Sequence, residues 1–234
     1  MRLEQSLDKI WYLSKIGFFD FLPTGEIEKF DALIDHKVIK KNTIIQTPEM
    51  SEQKLYFIKK GAVRIYDIQE DGRMFTLSLL GPYSTYGYLS SFSLGTENVY
   101  IETLSDIYLC SLTEENFKLL TKSYPKIVFN AMEILTKRLK DREKMLQMIA
   151  TGSVKQQIIH LLISMADTYG KKDQAFVDIP IPLSHQEIAN MLGVTRESVS
   201  TNMRRLKSEG LVRNTGRKTI EVNQQVINCY DREI

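Results

Sequence analysis

The sequence reads as an α+β protein: an N-terminal antiparallel β sandwich or jelly roll, a long central helix, and a C-terminal winged helix-turn-helix. Three observations carry this reading. Residues 37–112 hold short alternating apolar runs separated by Gly and Asp turns. The stretch from Pro125 to Thr151 contains no further Gly or Pro and keeps a helical period. Residues 184–210 set Gly193 between two amphipathic runs at helix-turn-helix spacing.

At 234 residues, with 43% hydrophobic and 26% charged side chains, the chain is long enough and apolar enough to bury a core unaided. Cys110 and Cys229 are too few for a disulfide framework, an iron–sulfur cluster held by one chain or a structural zinc site. No apolar run approaches the roughly 20 residues of a membrane span. The start Met1-Arg-Leu-Glu-Gln-Ser6 lacks the pattern of a signal peptide. A cytoplasmic protein without a membrane partner is expected.

Helices are expected near 5–16 and over 25–34, where Thr24 can cap and Ile27, Phe30, Leu33 and Ile34 share one side. Strands follow around Val38–Ile39 and Ile44–Ile45, then at Leu55–Ile58 and Ala62–Tyr66, with a turn at Glu70-Asp-Gly72. Phe75–Leu80, Val99–Leu104 and Ile107–Leu112 continue at the close spacing of an antiparallel sandwich rather than a βαβ sheet. This first region, 1–122, is mostly β. Thr113-Glu-Glu-Asn116 opens a short helix.

The central segment, 123–151, is a helix of about seven turns. Val128, Ala131, Leu135, Leu139, Leu146 and Ile149 are spaced 3, 4, 4, 7 and 3 apart, a narrow stripe that suits either a partner helix or the chain's own sandwich. Arg142 interrupts it. Gly152 is a natural hinge into the third region, 152–234, where Ile158, Leu161, Leu162 and Met165 mark another helix. Tyr169–Gln174 reads as a loop and Phe176–Ile181 as a short strand broken by Pro180 and Pro182.

Ser184-His-Gln-Glu187 has the form of a capping box ahead of Ile188, Ala189 and Leu192. Gly193 supplies the turn, Thr195 caps a second helix ending before Gly210, and Val194, Val199 and Leu206 fill the angle between the two. Asn202 stands where an aliphatic residue is usual, so Met203 is expected to supply that packing. The outward side carries Arg196, Glu197, Ser200, Thr201 and Arg204. Arg can donate twice to a guanine edge, a carboxylate can accept from cytosine N4, and Ser or Thr can meet base or phosphate. Leu211–Val222 then forms two strands about Thr215-Gly216, a wing whose Arg213, Arg217 and Lys218 suit phosphate.

Charge agrees with this placement. Residues 1–121 carry 13 basic and 17 acidic side chains, for −4, whereas 184–218 carry 7 and 3, for +4. A local basic footprint attracts a polyanion. The expected DNA contacts are Ser184, Gln186, Thr195, Arg196, Glu197, Ser200, Thr201, Arg204, Arg217 and Lys218, with double-stranded DNA as partner.

With these parts in place, the chain resembles the Crp/Fnr family of bacterial transcription regulators. The similarity is most specific at Leu55–Gly61, at Glu70–Gly72 leading to Gly87-Tyr-Leu89, and at Gln186–Ser200. The resemblance implies a cyclic-nucleotide-binding-like sandwich, a homodimer paired through the long helix, a two-fold related DNA site and contact with RNA polymerase. It puts Thr195, Arg196, Glu197 and Ser200 on DNA-facing positions. At Thr201 many members carry an arginine that reads guanine, so the usual half-site is not expected unless Arg204 compensates.

Where cyclic-nucleotide-binding members have Glu for the ribose and Arg for the cyclic phosphate, this chain has Tyr88 and Asn98, and the adenine-reading pair of the long helix is Arg142-Glu143. Asn offers one amide where a phosphate needs a cation or several aligned donors. Gating by cyclic AMP is therefore not expected, and no cofactor is required. An unidentified small-molecule effector stays open; its candidate contacts are Tyr86, Tyr88, Leu89, Asn98, Val99 and Arg142. Tyr83, Tyr86, Tyr88 and Tyr100 suit an apolar pocket with polar tips, or equally an ordinary sandwich core. Haem also stays open, although His36, His160 and His185 are scattered.

Two rival readings remain. A cupin-like metal enzyme would need clustered His and carboxylate ligands, and residues 37–112 contain no His. A protein-interaction module on the same fold would lack the steep salt dependence of phosphate-dominated binding.

Overall fold

The computed structural model of the chain describes residues 15–21, 33–170, 175–214 and 219–230. The helices expected near 5–16 and 25–34 fall mostly outside this set, as do the wing tip and with it Arg217 and Lys218. The chain packs as two compact units. One holds the described residues up to Ile65 together with Leu80–Lys140; the other holds Tyr66–Leu79 and the chain from Asp141 onward.

Eight strands, β1 (Asp35–Ile39), β2 (Ile44–Gln46), β3 (Lys54–Lys60), β4 (Val63–Ile68), β5 (Met74–Leu80), β6 (Thr85–Gly87), β7 (Tyr100–Thr103) and β8 (Ile107–Thr113), make two four-stranded sheets. Their orders are β1-β8-β3-β6 and β2-β7-β4-β5. β8 lies between β1 and β3, antiparallel to both, with Cys110 opposite His36 on one side and Phe57 on the other. β1 begins at Asp35, so a histidine does stand on a strand of the sandwich: His36 Nδ1 is 3.2 Å from Cys110 Sγ. Among the described residues, no group of three or more His, Cys, Asp or Glu is placed to hold a metal ion.

The two-residue alternation of β3 and β8 explains how this sheet is covered on both faces. Leu55, Phe57, Cys110 and Leu112 point into a cluster with Phe18, Phe19, Phe117, Leu120 and Ile127. Ile58, Ile107 and Leu109 point the other way, into a cluster with Val63, Ile65, Val99 and Ile101. Burying each such side chain contributes about 1.5–3 kcal/mol. Gly87 ends β6 at φ 110°, and a Cβ there would lie 2.0 Å from the Lys54 carbonyl oxygen, so β3 and β6 can approach only with glycine at this position.

Thr113 caps α1 (Glu114–Ser123) through its side chain, which accepts from Asn116 N, and Pro125 precedes α2 (Lys126–Thr151), as the sequence predicts. Ser153 and Gln156 close both halves of a capping box at the start of α3 (Val154–Tyr169). The helix-turn-helix pair is α4 (His185–Leu192) and α5 (Arg196–Ser208). Strand β9 (Phe176–Asp178) is shorter than the run predicted to reach Ile181, because Pro180 has no N–H to donate to a ladder. It joins β10 (Val212–Asn214) and β11 (Ile220–Asn223) in a sheet of order β10-β11-β9, followed by α6 (Gln224–Tyr230). The strand predicted at Phe176 thus joins the two wing strands, a pairing the sequence does not indicate. Among the described residues, no helix is long and apolar enough to cross a membrane.

Candidate nucleic-acid interface

Local sequence sets the two interface helices. Ser184 Oγ accepts from Glu187 N at 3.1 Å, starting α4. Gly193 takes φ 66° with open space around its Cα, so glycine is needed here for the left-handed backbone of the turn rather than for room. Thr195 Oγ1 then accepts from Ser198 N at 3.2 Å and starts α5. Ile188, Ala189 and Leu192 of α4 meet Val199, Met203 and Leu206 of α5 in the buried angle between them. Met203 is fully buried, while the neighbouring Asn202 is half-buried and donates to Ser198 O at 2.9 Å. The methionine therefore supplies the packing that the asparagine cannot.

This burial fixes the opposite face of α5. Thr195, Arg196, Glu197, Thr201 and Arg204 are exposed there. Among the described residues, the side chains of Arg196, Glu197 and Thr201 have no hydrogen-bond or ion-pair partner. Arg204 Nε lies 3.4 Å from Ser200 O, and Gln186 Nε2 donates to Asn190 Oδ1 at 2.7 Å. A hollow of about 320 Å3 opens between these elements and the wing, lined by Leu183, Ser184, His185, Gln186, Arg196, Asn214 and Ile220. Backbone N–H groups at the start of a helix favour anions, and Arg196 adds a cation at the same end of α5.

Two placements had no signal in the sequence. Ser200 is half-buried, and its hydroxyl lies 2.9 Å from Nδ1 of His185 on α4, a tertiary pair that no periodicity reports. Burial and the positive charges of Lys207 and Arg196 hold His185 below its usual pKa. Arg213 is the second. It pairs with Glu221 across the β10–β11 ladder and its guanidinium lies 4.2 Å from the centroid of the Phe176 ring, so the sheet already engages a charge that the sequence offers to phosphate.

In the first unit, the effector candidates separate. Tyr86, Leu89 and Val99 are core residues, with Tyr86 stacked on Tyr56 at 4.9 Å and its phenol pushed well up by burial. Tyr88 places its hydroxyl 2.9 Å from Ser51 Oγ. Asn98 is exposed at φ 53°, in a turn. Arg142 lies in the other unit, exposed on α2. A residue the sequence did not single out is central here. Arg138 Nη1 donates to Leu94 O at 3.0 Å and its Nη2 donates to Thr85 O. Gln46 Nε2 reaches Thr96 O at 2.7 Å and Val99 O at 3.1 Å, and Gly87 N donates to Thr96 Oγ1 at 2.8 Å. The loop over 87–99 is held by the chain's own side chains.

Along α2 the stripe divides. Ala131 is buried and Leu135 half-buried against the first unit's core, whereas Val128, Leu139, Leu146 and Ile149 are exposed, by 43%, 60%, 66% and 38%. Met132, which the sequence stripe leaves out, is 58% exposed and completes a seven-residue repeat with Leu139 and Leu146.

Comparison with known proteins agrees with this architecture. Residues 36–124 match the cyclic nucleotide-binding domain and residues 156–225 the Crp-like helix-turn-helix domain. The chain is 23% identical over 203 residues to "Probable transcriptional regulator flp" of Lacticaseibacillus casei, covering 87% of this chain and 88% of that protein. It is 26% identical over 175 residues to the cyclic AMP receptor protein of Thermus thermophilus, covering 75% and 77%. The structure of FixK2 from Bradyrhizobium japonicum superposes with a TM-score of 0.70 at 18% identity, over 84% of this chain and 96% of that one. With both domains matched in order and transcription regulators as its relatives, the chain belongs to the Crp/Fnr family of transcription regulators and carries that family's DNA-binding helix-turn-helix.

Proposed function

We propose that the protein is a homodimeric, sequence-specific DNA-binding regulator that recognises a palindromic site, in the cytoplasm, without gating by cyclic AMP. The observation that carries this reading is the outward face of α5: Arg196, Glu197 and Thr201 are exposed at the N-terminal end of a helix whose other side is locked in the core. Such a helix enters a major groove with its first turns toward base edges. Thr195 and Ser184 suit phosphate, Arg196 and Glu197 suit base edges, and Arg217 and Lys218 of the wing suit the backbone beyond. The exposed repeat of Met132, Leu139 and Leu146 supports pairing of two copies through α2, since a stripe of that length left in water is costly. Half-sites one helical turn apart follow from such a dimer.

The loop over 87–99 supports independence from cyclic AMP. Tyr88 and Asn98 stand where the resemblance places a ribose-binding glutamate and a phosphate-binding arginine, and neither brings a cation. Arg138, which reaches this loop, already donates to two main-chain carbonyls. RNA polymerase is the expected protein partner of a regulator of this family, and DNA recognition requires no enzymatic step.

Selection of bound duplexes from random DNA, with purified protein and no ligand, tests the reading. A palindromic enriched site is expected. Folded, dimeric protein that enriches nothing would overturn it.

A further inference from the structure

The hydroxyl of Ser200 faces two ways: it sits on α5 beside the exposed readers, and it is held from behind by α4. Among the described residues, His185 Nδ1 at 2.9 Å is its only hydrogen-bond partner. A free serine hydroxyl rotates among three staggered positions and serves as donor or acceptor in each. Once bonded to an imidazole nitrogen, it keeps one rotamer and one proton position. We propose that His185 is a specificity-determining positioning residue: it fixes the Ser200 hydroxyl so that α5 discriminates at one base pair of each half-site. His185 acts through Ser200 and need not touch that base pair.

The surroundings favour a ring that accepts. Burial and, among the described residues, the charges of Lys207 and Arg196 on α5 all act against protonation of the imidazole. The wing presents Asn214 and Ile220 to the same hollow, neither of them titratable, and Glu187 is the acidic residue in the first turn of α4. With Nδ1 accepting, the Ser200 proton points inward and its lone pairs point outward. The hydroxyl then accepts from an exocyclic amino group of adenine or cytosine. A protonated ring reverses the bond, because Nδ1 then donates and the serine proton turns outward.

This inference rests on the DNA-reading role of α5, and the test separates the two. Binding-site selection and competition binding are run on the full-length wild type, Ser200→Ala, His185→Ala, His185→Asn and the double alanine variant, each checked for folding by thermal unfolding. Ser200→Ala is expected to relax discrimination at one base pair per half-site. His185→Ala should relax the same pair and no other, by about fivefold to tenfold, the scale of one lost hydrogen bond. The double variant should be no worse than either single one. His185→Asn, which keeps a polar atom near the Nδ1 position, should restore discrimination. A uniform loss on all sequences in His185→Ala would make the residue a phosphate contact and overturn the proposal, as would relaxation at a different pair or no change at all. Wild type that shows no sequence preference would instead overturn the reading of α5 as a DNA reader.

Discussion

The two units treat their polar groups in opposite ways. In the sandwich, the loop where a family effector would be expected is bonded to its own chain: Arg138 to Leu94 O and Thr85 O, Gln46 to Thr96 O and Val99 O, Tyr88 to Ser51. In the helix-turn-helix, the core residues are equally well buried, yet Arg196, Glu197 and Thr201 stand in solvent with no intramolecular bond among the described residues. Hydrogen-bonding capacity left unspent on a rigid helix is available to a partner; capacity spent internally must first be broken. A domain's shape and its binding chemistry are separable. This sandwich keeps the glycine that the close approach of β3 and β6 demands, while Arg138, which reaches the same loop, is already bonded to two main-chain carbonyls.

The largest expected effect comes from the exposed repeat on α2. Replacing Leu139 and Leu146 together by Glu puts charges into the seam, and monomers by sedimentation with a loss of about 10²–10⁴-fold in affinity for a two-half-site duplex are expected, the scale set by losing a linked second contact. An intact dimer would show that α2 does not pair through this face. On the reading helix, Arg196→Ala should cost about 1–3 kcal/mol on the selected site and much less on random DNA, measured by competition binding. Equal losses on both would assign Arg196 to phosphate.

The sandwich side of the comparison sharpens with Arg138→Met. Removing the guanidinium strands two main-chain carbonyls and should lower unfolding stability by about 1–2 kcal/mol, with specific DNA affinity in the dimer unchanged. A cyclic nucleotide that then stabilised the variant against heat would show that the bonds of Arg138 keep the nucleotide out.

The smallest effect concerns acid. His160, on α3, is held below its ordinary 6.5 by burial and by Lys144, with Asp141 opposing. A histidine depressed in the folded state contributes stability that is complete above the unfolded value and is lost as pH falls from 6.5 toward the folded value. Urea unfolding of the second unit should therefore weaken below pH 6.5, and His160→Gln should flatten part of that dependence. A flat wild-type profile would contradict the assignment.

Much of this architecture was legible because local rules carry it. Thr113, Pro125 and Gly193 mark helix starts and stops through capping, missing donors and left-handed backbone, and each does so in the structure. The substitution of Met203 for an aliphatic neighbour at Asn202 was also readable, since a side chain one position away is the nearest that can fill the same gap. What escaped is tertiary. The pairing of His185 with Ser200 spans two helices, Arg138 reaches loop carbonyls from α2, and Glu221 takes Arg213 across a ladder. The stripe on α2 was half legible: spacing identified the face, but not that Ala131 and Leu135 turn to the first unit's core while Met132 turns outward. A helix offers neighbouring faces a few tens of degrees apart, and only the packed core decides between them.

The proposed function requires a helix-turn-helix that is competent without cyclic AMP. The most direct measurement is the ratio of affinities for the selected site and for random DNA, at fixed salt, with and without saturating cyclic AMP. A ratio of about 10³ or more is expected for the unliganded protein, in the range of specific regulators, with no change on adding the nucleotide. A ratio near one that rises only with cyclic AMP would contradict it.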